Sequence, residues 1–241
     1  MKLSVVIPVY NEEKLIATTI QKVADAPLPA GCAMEMIIVN DGSKDKTAES
    51  IQKAIDARQH NTPPIHFLNK KQNEGKGAAL RDGFAKTSGD VVLVQDADLE
   101  YSPDDYPRLL EPFLKHDADV VYGSRFISDR PHRVLYFWHS VMNKFLTMFS
   151  NMFSNLNLTD METGFKVFRG DLIRTLAPKL KTQRFGFEPE ITARISKVQG
   201  VKIYEVGISY AGRTYKEGKK IGWVDGVKAI WEIIYFNVFA Q

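Results

Sequence analysis

Ser4-Val5-Val6-Ile7-Pro8-Val9 is a short, nearly continuous apolar run that stops at Tyr10-Asn11-Glu12-Glu13, and its pattern recurs through the first half of the chain. A run of this kind suits a strand covered on both faces better than one with a wet side. The same signature returns in Met36–Val39, Ile65–Leu68, Val91–Val94 and Val120–Tyr122. Between these runs lie amphipathic stretches over about Glu13–Ala26, Asp45–Arg58, Gly77–Lys86 and Pro103–Lys115. Ser43 or Asp45 is placed to cap the second of these helices, and Ser102-Pro103 with Asp104 and Asp105 opens the fourth. Strand–helix alternation predicts an α/β fold with a mostly parallel, Rossmann-like central sheet flanked by helices.

The second half changes character. Val134 to Leu158 is one long helical pattern rich in aromatic residues and methionine, readable as a core helix or as a membrane-facing one. Arg184–Gln199 predicts another helix, Val201–Tyr210 a strand, and the residues from Gly222 a last amphipathic helix too interrupted to span a bilayer. No repeat or low-complexity tract breaks the chain, so residues 1–241 are expected to form one domain.

Composition narrows the function classes. Of 241 residues 44% are apolar and 25% charged, which excludes disorder and fibrous repeats. A single cysteine, Cys32, rules out an internal disulfide and points to a reducing compartment, hence a cytoplasmic protein. With 32 basic and 29 acidic residues the net charge is +3, too small to indicate a nucleic-acid partner.

Ligands of open α/β sheets bind outside the carboxyl ends of the strands. Four polar clusters fall there: Tyr10-Asn11-Glu12, Asn40-Asp41-Gly42-Ser43, Asn69–Gly77 and Asp96-Ala97-Asp98-Leu99-Glu100. In an extended backbone the three carboxylates Asp96, Asp98 and Glu100 project to one side, and such crowding calls for a cation. Hard oxygen ligands select Mg²⁺ or Mn²⁺. Asn73-Glu74-Gly75-Lys76-Gly77 offers glycines, a lysine and a helix N-terminus to an anion. It matches neither a P-loop nor a dinucleotide fingerprint, because Leu80 stands where the latter needs a third small residue.

Ser4–Glu12, Val39-Asn40-Asp41-Gly42-Ser43 with Asp45 and Thr47, Gly75-Lys76-Gly77, Asp96-Ala97-Asp98 and Gly123-Ser124-Arg125 together resemble the family 2 glycosyltransferases. The branch most resembled is that of the dolichyl-phosphate mannose and glucose synthases, over roughly residues 3 to 221. The resemblance implies a GT-A fold, a UDP- or GDP-sugar donor, a divalent metal and inversion at the anomeric carbon. It implies a nucleotide-sugar-binding half at 1–125 and an acceptor-side half at 126–241 with amphipathic helices. Pro8, Tyr10, Glu12 and Asp41 would hold base and ribose, with Lys76 close to the nucleotide. Asp96 would bridge ribose and metal, Asp98 would ligate the metal, and Glu100 stands where several relatives have Gln. Asp160-Met161-Glu162-Thr163-Gly164-Phe165-Lys166 is similar to the family's Asp-x-x-Ser-Gly-Phe-Arg stretch, and Arg213 through Lys219-Lys220 to its basic loop over the phosphates. Where relatives that use a polyprenyl phosphate carry a second arginine, His139 stands here, with Arg130 and Arg133 earlier.

The acceptor is then a lipid phosphate or a cell-envelope glycan. A phosphate needs no general base, whereas a sugar hydroxyl needs a carboxylate, for which Asp160 and Glu162 are the candidates. Either could instead be a buried partner of Arg125 or Arg169, and Arg125 itself suits a bidentate phosphate. Glu188 and Glu190 read as helix-start carboxylates, Glu190 with Arg184 or Arg194 for a partner. A sugar-nucleotide nucleotidylyltransferase is the competing enzyme, but Ser4–Lys14 lacks the glycine-rich loop it needs. A non-catalytic nucleotide-sugar binder has no use for the Asp96/Asp98 pair. The two amphipathic helices fit either peripheral contact with the inner face of the membrane or burial in a homodimer.

Overall fold

The computed structural model describes residues 1–58, 63–127, 133–134, 136–184, 186–213 and 223–240, with side chains of the last segment from 226. Seven strands form one sheet: β1 (Lys2–Val9), β2 (Ala33–Asn40), β3 (Ile65–Asn69), β4 (Val91–Val94), β5 (Val120–Ser124), β6 (Lys166–Arg169) and β7 (Ile203–Gly207). Their order across the sheet is β3-β2-β1-β4-β6-β5-β7. The helices are α1 (Ile16–Ala24), α2 (Thr47–Asp56), α3 (Lys76–Phe84), α4 (Tyr106–Lys115), α5 (Phe137–Ser154), α6 (Gly170–Leu176), α7 (Phe187–Ile195) and α8 (Trp223–Ile234).

Alternation along β1 divides the core. Leu3, Val5, Ile7 and Val9 join Ile16, Ile20 and Leu109 on one face of the sheet. Val6 joins Leu80, Phe84, Phe187 and Ile191 on the other. Both faces are covered, as the unbroken apolar runs require.

One strand was absent from the sequence expectation, and it decides the architecture of the site. β6 enters antiparallel between β4 and β5, pairing Val92 with Phe168 on one side and Val121 with Val167 on the other. At four residues, with lysine and arginine at its ends, it carries too little apolar pattern to be read as a strand. Because β6 runs against its neighbours, its first residue lies at the edge where β4 and β5 end. The connection leading into it therefore joins the ligand edge of the sheet.

The long aromatic helix is not a core helix. In α5 only Leu146, Thr147, Ser150 and Ser154 are buried. Phe137, Trp138, Met148 and Met152 are each more than half exposed, as are Trp231 on α8 and Phe239 just beyond it. Asn155, left-handed at φ 54, ends α5.

At the opposite edge of the sheet, Glu35 on β2 is buried and fully engaged. Its Oε1 accepts from Ser4 Oγ at 2.6 Å and Ser88 N at 2.8 Å, and Lys2 Nζ lies 2.6 Å from Oε2. Burial raises its pKa, but these donors outweigh burial and bring it from 4.5 down to about 2. The carboxylate thus contributes stability that is present above about pH 4.5 and lost as pH falls towards 2. Glu35→Gln is expected to cost about 1–3 kcal/mol near neutrality, with the deficit shrinking through that acid window. Melting curves of both proteins from pH 7 to pH 2 check this, and a deficit independent of pH contradicts it.

Candidate active site

The carboxylate cluster follows β4, but its backbone is a turn, with Leu99 at φ 60, not the extended segment expected. The turn redirects Glu100. Its Oε2 accepts from Tyr210 Oη at 2.9 Å and its Oε1 from Arg213 N at 2.7 Å, so both oxygens fasten the segment after β7 to the cluster. No three acidic, histidine or cysteine side chains come together as a ready metal cage among the described residues. In this structure Glu100 is thus engaged with Tyr210 and Arg213, while the carboxylates of Asp96 and Asp98 make no hydrogen bond to the described residues of that segment.

Asp96 and Asp98 remain. Burial, with the charges of Asp96 and Glu100 close by, raises the Asp98 pKa to about 7. A carboxylate under that pressure is what a divalent cation relieves, and the oxygen chemistry of the pair fits Mg²⁺ or Mn²⁺ with phosphate oxygens or water completing the shell. Arg213 spans the cleft: its Nη2 reaches the Asp98 carbonyl at 2.8 Å, and its guanidinium lies 3.3 Å from the Glu12 carboxylate. Pro8 and Tyr10 sit partly exposed at the end of β1. Lys219 and Lys220 lie outside the described residues.

Lys76 bridges Asp96 Oδ1 at 2.9 Å and Glu188 Oε1 at 3.0 Å. Burial lowers its pKa, yet the two carboxylates prevail and raise it, so the ammonium keeps its proton. Glu188, at the start of α7, is thereby a member of the site, although a helix-start carboxylate in the sequence carries no signal of that. The N-terminus of α3 is not open to an anion as expected. Gly77 N donates to the Arg184 carbonyl and Ala78 N to that of Gln183, both at 3.2 Å. A Cβ at Gly75 or Gly77 would collide with the carbonyls of Gln183 and Thr182, so these glycines serve packing against that segment. Glu190 holds the same segment, accepting from Lys181 N and Thr182 N while pairing with Arg194 at 2.6 Å.

Asp41 also turns inward. It is 3% exposed, accepts from Gly75 N at 2.6 Å and Glu74 N at 3.1 Å, and pairs with Lys70 at 3.3 Å. Both oxygens shape the loop before α3, on the side of the sheet where base and ribose were expected.

On the other side of β6, Arg125 follows β5. Its Nε and Nη2 fork onto the two oxygens of Asp160, each at 2.7 Å, and Asp160 is fully buried. The guanidinium also stands 5.2 Å from the Tyr210 ring centroid. Of the two roles open to Asp160, proton acceptor or arginine partner, the geometry supports the second, since the fork occupies both oxygens. Arg169 pairs instead with Asp117 and Asp119. Glu162 lies on the same loop with its Oε1 buried and without a hydrogen-bond partner.

A seven-stranded, mostly parallel sheet covered by helices on both faces is the GT-A arrangement of glycosyltransferases. The family model "Glycosyl transferase family 2" matches residues 4–176, and the chain belongs to that family. It is 29% identical over 233 residues to an undecaprenyl-phosphate mannosyltransferase of Micrococcus luteus, covering 94% of this chain and 90% of that protein. It is 27% identical to a dolichol-phosphate mannosyltransferase of Pyrococcus furiosus over 92% of this chain, but spans only 61% of that protein. Glucosyl-3-phosphoglycerate synthase from Mycobacterium tuberculosis, solved with Mn²⁺, UDP and phosphoglyceric acid, shares the fold at a TM-score of 0.69 and 20% identity, covering 100% of this chain and 80% of that one.

Asp98→Asn tests the carboxylate pair. With UDP or GDP and Mn²⁺ the unmodified protein should melt higher, a ligand at about 100 times its Kd adding about 2.7 kcal/mol. The variant should lose the Mn²⁺-dependent part of that shift while its unliganded melting temperature holds or rises, because repulsion is removed. An unchanged Mn²⁺ dependence would refute the assignment.

Proposed function

We propose that this protein transfers a hexose from a nucleotide-diphosphate sugar to a polyprenyl phosphate, with inversion at the anomeric carbon. The observation that carries the reading is the placement of Asp96 and Asp98 after β4 and of Arg125 after β5, on either side of the β6 entry loop. The names of the relatives supply the acceptor class.

On this reading Pro8, Tyr10 and Glu12 line the nucleoside side of the cleft, and Asp96 and Asp98 would hold Mg²⁺ or Mn²⁺. The cation would offset the charge gathering on the departing diphosphate. Lys76 keeps Asp96 in place and adds positive charge beneath the leaving group, and Arg213 is released from Glu12 to meet the phosphates. Arg125, with two of its five N–H donors committed to Asp160, presents the others to the acceptor phosphate. An acceptor phosphate oxygen attacks the anomeric carbon as the bond to the nucleoside diphosphate breaks. The attacking oxygen is already anionic at neutral pH, so no proton is removed.

Among the described residues no helix is long and apolar enough to cross a membrane. α5 carries Lys144, no acidic side chain and the exposed Phe137, Trp138, Met148 and Met152, and it packs against α8, on which Trp231 is exposed. Aromatic groups beside basic ones suit the headgroup boundary of an anionic bilayer, and we read this face as the contact that brings the site to a lipid-borne phosphate.

Two experiments check these statements. A panel of UDP- and GDP-hexoses with Mn²⁺ and undecaprenyl phosphate should give a lipid-linked sugar, and Arg125→Lys should lower kcat/KM by about 100-fold or more through loss of the planar fork. Turnover unaffected by that change contradicts the acceptor site. In flotation at low salt, the protein should rise with anionic liposomes, and Trp138→Glu with Trp231→Glu should leave it at the bottom without altering its melting temperature. A protein that stays at the bottom unmodified and sediments as a dimer assigns the face to self-association instead.

A further inference from the structure

A transfer to phosphate leaves one half-buried carboxylate without a part. Glu162 Oε1 is covered and meets no hydrogen-bond donor, and Thr163 Oγ1, next along the loop, is in the same condition. A buried acceptor that finds no donor in its own chain is open to one supplied by a ligand hydroxyl or an ordered water. Burial and the charge of Glu188 push the Glu162 pKa up to about 7, against the pull of Lys166 and Arg125.

The loop that carries Glu162 is held from both ends. Lys166 Nζ donates to the carbonyls of Met161 at 2.9 Å and Thr163 at 2.5 Å. Asp160 is clamped by Arg125, and Gly164 N donates to Tyr101 Oη at 2.9 Å. A Cβ at Gly164 would collide with the Asp96 carboxylate, so the loop rests directly on the metal side of the cleft while its other end grips the acceptor arginine. The loop that carries Glu162 thus runs from Arg125 to the Asp96 side of the cleft, and Glu162 feels the charges of Glu188, Lys166, Arg125 and Asp160.

We propose that Glu162 Oε1 accepts a hydrogen bond from a hydroxyl of the hexose in transit, and so helps set which sugars the site takes. This rests on the glycosyl-transfer reading above. The chemistry selects the sugar over the other ligand parts. Both phosphates are anions, which a carboxylate repels and which Lys76, Arg125 and Arg213 suit. The ribose hydroxyls belong, on that reading, to the side of β1. The hexose is the hydroxyl-bearing part that must lie between Asp96 and Arg125. A carboxylate there recognises a hydroxyl sharply, because a sugar lacking it leaves the oxygen orphaned again.

The test is a double cycle between residue and substrate. The best donor from the panel of UDP- and GDP-hexoses is compared with its monodeoxy analogues, using the unmodified protein, Glu162→Ala and Glu162→Gln, with undecaprenyl phosphate as acceptor. The unmodified protein should lose about 10- to 100-fold in kcat/KM on one particular monodeoxy donor. Glu162→Ala should lose a similar factor on the full donor and show no further loss on that analogue. Glu162→Gln, which keeps the shape and an acceptor oxygen, should fall between them, and Mn²⁺-dependent binding of the free nucleoside diphosphate should be unchanged in both variants. If Glu162→Ala lowers the rate by the same factor on every donor, the residue acts as a base or a scaffold and the proposal fails. It fails equally if both variants weaken binding of the free nucleoside diphosphate. A panel in which the unmodified protein turns over no donor overturns the transfer reading itself, a result distinct from turnover without coupling.

Discussion

The Lys166 ammonium is buried completely, with the carbonyls of Met161 and Thr163 as its hydrogen-bond acceptors and the Tyr122 ring 5.1 Å away. Burial lowers its pKa to about 8 against the pull of Glu188 and Glu162. Those carbonyls would be costly to bury without a donor, and the donor would be costly to bury without them. The interaction folds the residues before β6 into a tight loop and delivers it to the edge where β4 and β5 end. Asp160, Glu162 and Gly164 take their positions from that loop: one holds Arg125, one is left with a free oxygen, and one lies against Asp96.

Around this loop the site is a set of charges that hold one another. Asp96 has Lys76, Lys76 has Glu188, Asp160 has Arg125, and Glu12 has Arg213. Asp98 has two carboxylates near it and an arginine whose shortest guanidinium contact is to its backbone carbonyl, and its pKa rises to about 7. On the proposed reading such an arrangement would be preorganised for a ligand with both signs of charge, a cation bound to a diphosphate. Tyr210 ties the halves together, donating to Glu100 and lying beside the Arg125 guanidinium.

Strands with uniform apolar runs were legible because burial on both faces leaves a strong local pattern, and β1, β2, β4 and β5 fall where the runs fall. The short β6 was not, since its identity comes from pairing with two distant strands. Asp96, Asp98 and Arg125 announced themselves by following strands. Asp41 and Glu100 follow strands in the same way, and here they also hold backbone amides, Lys70 and Tyr210. Residue type and position at a strand end do not tell which of these carboxylates also ties down a loop. Glu188 and Tyr210 enter the site from elements far along the chain, where nothing local marks them.

The central claim is that a sugar crosses from the carboxylate pair to a phosphate held by Arg125 in one displacement. The anomeric configuration of the product reads this directly. Given an α-linked nucleotide hexose and undecaprenyl phosphate, NMR of the purified product should show a hexosyl phosphodiester with the β configuration. An α-linked product, or a sugar joined to anything other than the phosphate oxygen, would contradict the account.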